Sequence, residues 1–127
     1  MKFRVWDKLR EAYIYHNPKK YQGHFVISLN GSFIDMHNGS GGDEYVVQMS
    51  TGVLDGNNQE IYDGDIVRNH NFGDPNIGRV YFCSGCFMID GAGTMYDEVY
   101  SVNPQMAPDI EVIGNIFENK NLLDIEN

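Results

Sequence analysis

Short runs of alternating apolar and polar residues, each closed by Gly, Asn or Asp, recur along most of the chain. A period of two marks a half-buried strand, because successive side chains face opposite sides of a sheet. Lys2-Phe3-Arg4-Val5-Trp6-Asp7 alternates cleanly and predicts an opening strand. His24-Phe25-Val26-Ile27-Ser28-Leu29 predicts another, and the apolar pattern resumes from Ser32 to Met36. Asn30-Gly31 lies between them and readily takes the positive φ angles of a primed turn, so a hairpin is expected there. Gly39-Ser40-Gly41-Gly42-Asp43 predicts a flexible loop, and Tyr45-Val46-Val47-Gln48-Met49 the next strand. Thr51 to Glu60, polar and rich in Asp, Asn and Gly, predicts a turn region before strand character returns from Ile61 to Arg68. Asn69 to Asn76 predicts a second loop. Gly78 to Phe82, Phe87 to Ile89, Met95 to Val102 and Ile110 to Phe117 complete the series. A helical turn is expected only from Asn119 to Ile125, where Asn119 can cap and Leu122 and Leu123 can pack back. Residues 8–20 are open between a short helix and a strand, and Tyr13-Ile14-Tyr15 fits a strand at least as well. Roughly eight strands at this spacing favour a barrel or sandwich over an α/β layout.

Composition adds bounds to this picture. A chain of 127 residues is enough for one domain, expected to span residues 1–127. Aromatics reach 13% and suit pleated, half-buried surfaces. Eighteen acids oppose nine bases, for a formal charge of −9. Such a chain repels polyphosphate at long range and attracts basic partners. The pairs of nearby bases are Lys2/Arg4, Lys8/Arg10 and Lys19/Lys20, with no arginine-rich stripe, so duplex nucleic acid is disfavoured as a partner. Residues 1–10 carry charge throughout, without the apolar segment of a signal peptide, and no run reaches the roughly 20 apolar residues of a membrane span. A cytoplasmic protein without a membrane partner is expected, with Cys83 and Cys86 reduced.

Thr51-Gly52-Val53-Leu54-Asp55-Gly56-Asn57-Asn58-Gln59-Glu60-Ile61-Tyr62-Asp63-Gly64-Asp65-Ile66-Val67 resembles the signature of the YopX family, small proteins of phages and prophages of Gram-positive bacteria. Lys2-Phe3-Arg4-Val5-Trp6-Asp7 is similar to that family's N-terminus. Glu111-Val112-Ile113-Gly114-Asn115-Ile116-Phe117-Glu118-Asn119 is similar to its C-terminal motif. Asn58 stands where glycine is usual and Asp63 where glutamate is usual, while residues 8–45 match little. The resemblance implies an all-β or mostly β fold with an SH3-like small-barrel element, here with additional hairpins and a short C-terminal helical turn. It implies no settled activity.

Physical chemistry accounts for these motifs as structure. Gly64 can take positive φ without steric cost, and Asp63 or Asp65 can accept backbone N–H groups in a tight turn before Ile66 enters the core. Asn58 tolerates a left-handed backbone. Gly114-Asn115 is expected to mark a bulge.

Candidate chemistry is sparse by comparison. Cys83-Ser84-Gly85-Cys86 supplies at most two of the four ligands of a structural zinc, and His70 and Asp74 add no familiar spacing. A thioredoxin-like motif opens a helix after a strand, whereas Phe87-Met88-Ile89-Asp90-Gly91 follows here, so a Ser-Gly hairpin with two small apolar thiols is expected. Asp55 to Glu60 fails as an EF-hand, since the sixth and twelfth positions hold Glu60 and Ile66. The loop Gly39-Ser40-Gly41-Gly42 precedes Asp43-Glu44, not the lysine and helix of a phosphate cradle. Asp97 and Glu98 would face opposite sides of a strand, and the turn explains Asp63 and Asp65. His16, His24, His37 and His70 are scattered among polar neighbours.

No catalytic, cofactor-binding or metal residue is therefore assigned, and no cofactor is expected. The expected role is a non-catalytic, phage- or prophage-encoded small β-barrel protein acting through contacts with a basic host or phage protein. The alternatives are a single-stranded nucleic-acid-associated phage protein, with Tyr45, Tyr81 and Phe82 as stacking aromatics, and a metal-dependent hydrolase built on the aspartates. A homo-oligomer is expected through strand edges, with Tyr13-Ile14-Tyr15 and Phe25-Val26-Ile27 as the charge-poor segments.

Overall fold

The computed structural model describes residues 2–15, 25–27, 33–35, 44–71, 76–90 and 99–123. They fall into two compact units, Met1–Met49 and Ser50–Asn127.

In the first unit the alternating N-terminus forms β1 (Phe3–Asp7), which pairs antiparallel with β2 (Ala12–Tyr15). The helix-or-strand alternative for residues 8–20 is thus settled for Tyr13, Ile14 and Tyr15 as strand. The β1–β2 turn is held by Asp7, buried at 4% exposure. Its Oδ1 accepts the Leu9 and Arg10 N–H groups at 3.0 and 3.2 Å. β3 (Phe25–Ile27) and β4 (Phe33–Asp35) form the expected hairpin, with Phe25 opposite Asp35. Its Asn30-Gly31 turn lies outside the described residues, as do the Gly39 to Asp43 loop, His16, His24 and His37. The first half of β5 (Tyr45–Leu54) pairs with β1 on the side away from β2. Val5, fully buried, packs with Phe3, Ile14, Tyr45 and Val47 on one face of these strands.

The second unit takes the remainder of β5, which pairs with β6 (Glu60–Tyr62) through an irregular register. β7 (Asp65–Asn69), β8 (Asn76–Cys83), β9 (Cys86–Asp90), β10 (Val99–Ser101) and β11 (Ile110–Asn115) form an antiparallel sheet of order β10-β9-β8-β7-β11. Its core is Ile61, Val67, Val80, Ile89 and Ile110, with Val102, Met106 and Val112 packed against it. Single 3₁₀ turns span Ala107–Asp109 and Lys120–Leu123. The described residues are mostly strand with almost no helix, as the alternating pattern predicted, and none of their helices is long and apolar enough to cross a membrane.

Several boundaries differ from expectation. Thr51 to Leu54 is strand, not turn. The Ser50 Oγ accepts the Gly52 N–H at 2.9 Å and Gly52 takes φ +79, so an irregularity carries this polar stretch along the strand. Ile61 to Arg68 is two strands broken at Asp63-Gly64, while Asn69 and Asn76 are paired strand ends. The C-terminal turn is 3₁₀, and the Asn119 side chain does not cap it: Asn119 Oδ1 accepts the Asn115 N–H at 3.2 Å. The bulge falls at Ile113, between the paired residues Val112 and Gly114, one position earlier than Gly114-Asn115.

Candidate functional site

The signature folds as two turns in the second unit. In the first, Asp55 is buried at 4% exposure. Its Oδ1 accepts the Asn57 and Gln59 N–H groups, both at 2.8 Å. Its Oδ2 accepts the Val112 N–H at 2.9 Å, tying the turn to β11. Asn58 takes φ +63, as an asparagine can. Gly56 donates to the Ile110 carbonyl at 2.9 Å, and a Cβ on it would stand 2.5 Å from the Pro108 carbonyl oxygen.

In the second turn Gly64 takes φ +89 and Asp65 Oδ2 accepts the Tyr62 N–H at 2.7 Å. The Gly64 backbone donates to Val80 and accepts from Ile116, at 2.8 and 2.9 Å. Ile66 is fully buried. The C-terminal motif behaves alike: Asn115 Oδ1 accepts the Phe117 and Glu118 N–H groups at 3.1 and 2.9 Å. Asp55, Asp65 and Asn115 thus have their acceptors aimed at backbone N–H groups.

Against the first turn lies an open groove of about 410 Å³, lined by Leu54, Asp55, Gly56, Pro104, Ala107 and Pro108 among others. The segment that carries Pro104 is held by Asn103, whose Oδ1 accepts the Gln105 and Met106 N–H groups at 3.1 and 3.0 Å. Leu54 is half exposed here. Beyond Gly56 and Pro108, a smaller depression of about 180 Å³ meets His70, Asp109 and Glu111. The sequence reading missed this groove, since only the fold brings residues 104–108 beside 52–58. Its one sequence signal is the pair of prolines flanking Gln105-Met106-Ala107.

The other candidates are placed as follows. Cys83 and Cys86 are exposed, free and directly opposite each other across a Ser84-Gly85 turn, the hairpin that was expected. His70 is exposed, while Asp74, Asp97 and Glu98 lie outside the described residues. No group of three or more His, Cys, Asp or Glu that could hold a metal occurs among the described residues. Tyr81 and Phe82 are neighbours on β8 and face opposite sides of it, so they do not form one stacking platform. Tyr45 lies in the first unit, against the Val5 cluster. Of the basic residues, Arg4 is buried at 5% exposure. It donates to Gln48 Oε1 at 2.9 Å and stacks over the Tyr13 ring at 4.2 Å, so its charge is not offered to solvent.

A small all-β protein whose signature residues stitch its own turns is the class that this geometry defines. The family model described as YopX protein matches residues 2–124, and the chain belongs to the YopX family. Its fold is shared by the crystal structure of protein YopX from Bacillus subtilis, 23% identical over 96% of this chain and 97% of that one, with a TM-score of 0.65. It is also similar to protein EF1440 from Enterococcus faecalis, 25% identical over 96% of each chain, with a TM-score of 0.61. No curated protein matches the chain.

Proposed function

We propose that this protein is a non-catalytic, phage- or prophage-encoded member of its family, a single YopX-like domain that works in the bacterial cytoplasm by holding a basic host or phage protein. The observation that carries the reading is the groove beside Leu54. The carboxylate beneath it is bonded to backbone, which leaves a half-exposed leucine, the exposed Asn58, backbone and two prolines lining the groove. Asp109 stands in the adjoining depression beside His70, where Glu111 is held by Arg68 at 2.9 Å, and the chain carries −9 overall. A groove that offers an exposed leucine, on a chain of strongly acidic net charge, fits an extended basic segment with one apolar anchor.

Pull-down from host lysate, at low and at high salt, tests this. The wild type retains a basic protein at low salt and releases it at high salt, and Leu54→Arg loses it while keeping its melting temperature. Absence of any salt-sensitive partner sinks the proposal. Salt-dependent retention of single-stranded DNA or RNA on a filter would favour the nucleic-acid alternative instead. Stabilisation by Mg²⁺, Mn²⁺ or Ca²⁺ in a thermal-shift screen would favour the hydrolase.

A further inference from the structure

The β8–β9 hairpin carries a pair of thiols that the proposed function does not use. Cys83 and Cys86 are its last paired residues, and only Ser84 and Gly85 separate them. Those two take φ +52 and +82, both positive, as a type I′ turn requires. Partners directly opposite each other project to the same face. Val80 and Ile89, one such pair, point into the core, and Phe82 opposite Phe87 shares their face. The thiols, one position further on, therefore project together from the other face. Both are exposed and neither is in a disulfide.

Distance separates two possible chemistries for such a pair. Residues flanking a two-residue turn exchange hydrogen bonds, and their Cβ atoms stand about 5–5.5 Å apart. A disulfide needs its Cβ atoms near 3.8 Å, so closing one would strain the hairpin tip. A tetrahedral cation with bonds of about 2.3 Å needs sulfurs about 3.8 Å apart, which Cβ atoms at the wider spacing reach without backbone movement. The hairpin is therefore shaped to chelate a thiophilic cation with two thiolates. That is half of a tetrahedral set, and no third ligand is grouped with it among the described residues. A tip formed by a two-residue turn can approach its own copy about a two-fold axis, where the same two residues supply the other half.

We infer that the hairpin tips of two copies together bind one Zn²⁺ through four thiolates, Cys83 and Cys86 from each chain. Four Zn–S bonds form, and the thiol protons leave to solvent, so binding weakens toward acid pH. The contact is far smaller than the roughly 800 Å² per partner of a metal-free interface, and two chains of −9 repel each other. The metal is accordingly obligatory for this pairing.

The test titrates fully reduced, chelator-stripped protein with cobalt(II) chloride and then with zinc chloride. Cobalt should give the intense absorption of a tetrahedral thiolate site, saturating at one metal per two chains, and zinc should bleach it. Light scattering should show the metal-loaded particle at twice the metal-free mass. Cys83→Ser with Cys86→Ser should abolish both signals without lowering the melting temperature of the metal-free protein. Alkylating both thiols of the wild type should do the same, which guards against a misfolded variant. Saturation at one metal per chain, unchanged mass on loading, or a thiolate band that survives in the double variant would each overturn the inference.

Discussion

Asp55 is the residue on which most of the signature turns. Three backbone N–H groups converge on its buried carboxylate, two within the turn and one from Val112, 57 residues away. Asp55→Ala leaves those donors without an acceptor and should cost about 2–4 kcal/mol, read by urea unfolding. Asp55→Asn keeps one oxygen but turns an NH₂ group toward a donor, and should cost about 1–2 kcal/mol. Equal, small losses for both would show that water replaces these bonds. Gly64 poses the simpler problem of a backbone at φ +89, where a Cβ is strained. Gly64→Ala should destabilise the protein by about 1–2 kcal/mol in the same measurement. Both positions belong to the motif that marks the family, and each is explained by a backbone requirement instead of by chemistry.

Hairpins are the unit of construction at the next scale. β1–β2, β7–β8 and β8–β9 each pair neighbours in sequence, and each has a polar residue or a positive-φ residue at or beside its turn. The thiols of the β8–β9 tip contribute little to stability, because both are exposed and free. The Cys83→Ser, Cys86→Ser double variant should therefore unfold within about 0.5 kcal/mol of wild type when no metal is present. The turn after β5 is the opposite case. Gly56 lies so close to Pro108 that Gly56→Ala must push the 3₁₀ turn of Ala107–Asp109 away. It should reshape the groove as well as lower the melting temperature, and loss of partner retention with the fold intact by circular dichroism is the expected result. Retention equal to wild type would place the partner elsewhere.

For the whole molecule the governing quantity is the charge of −9, which sets what can approach and in what salt. Self-association must use charge-poor surface. β2, at the end of the described strand order β2-β1-β5-β6, carries Ala12-Tyr13-Ile14-Tyr15, with Tyr15 half exposed and no charge in the strand. An oligomer built on that edge is proposed on these grounds. At roughly tens of micromolar in chelator, light scattering should read more than one chain's mass, and Tyr15→Glu should return it to one. A wild-type mass of one chain at every salt concentration would remove the edge proposal. It would leave the zinc-dependent pairing standing, because that pairing is measured as a change on loading.

Local rules were enough to read much of this from the chain. Period-two alternation located β1, β8 and β11, the Asp-Gly-Asp tract declared its positive-φ turn, and Ser84-Gly85 declared its hairpin, because each depends on neighbours a few residues apart. Composition misled at Thr51 to Leu54, where the strand runs through an irregularity between the Ser50–Tyr62 and Leu54–Glu60 pairs, since strand propensity yields to the partner available. Asn119 looked like a cap and became a clasp on Asn115, a choice between two acceptor geometries that only the folded β11 presents. The groove, and the role of Asp55 as a tie to Val112, join segments some 50 residues apart in sequence. No local pattern encodes such a meeting, because it is fixed by how the strands pair and by which buried donors remain to be satisfied.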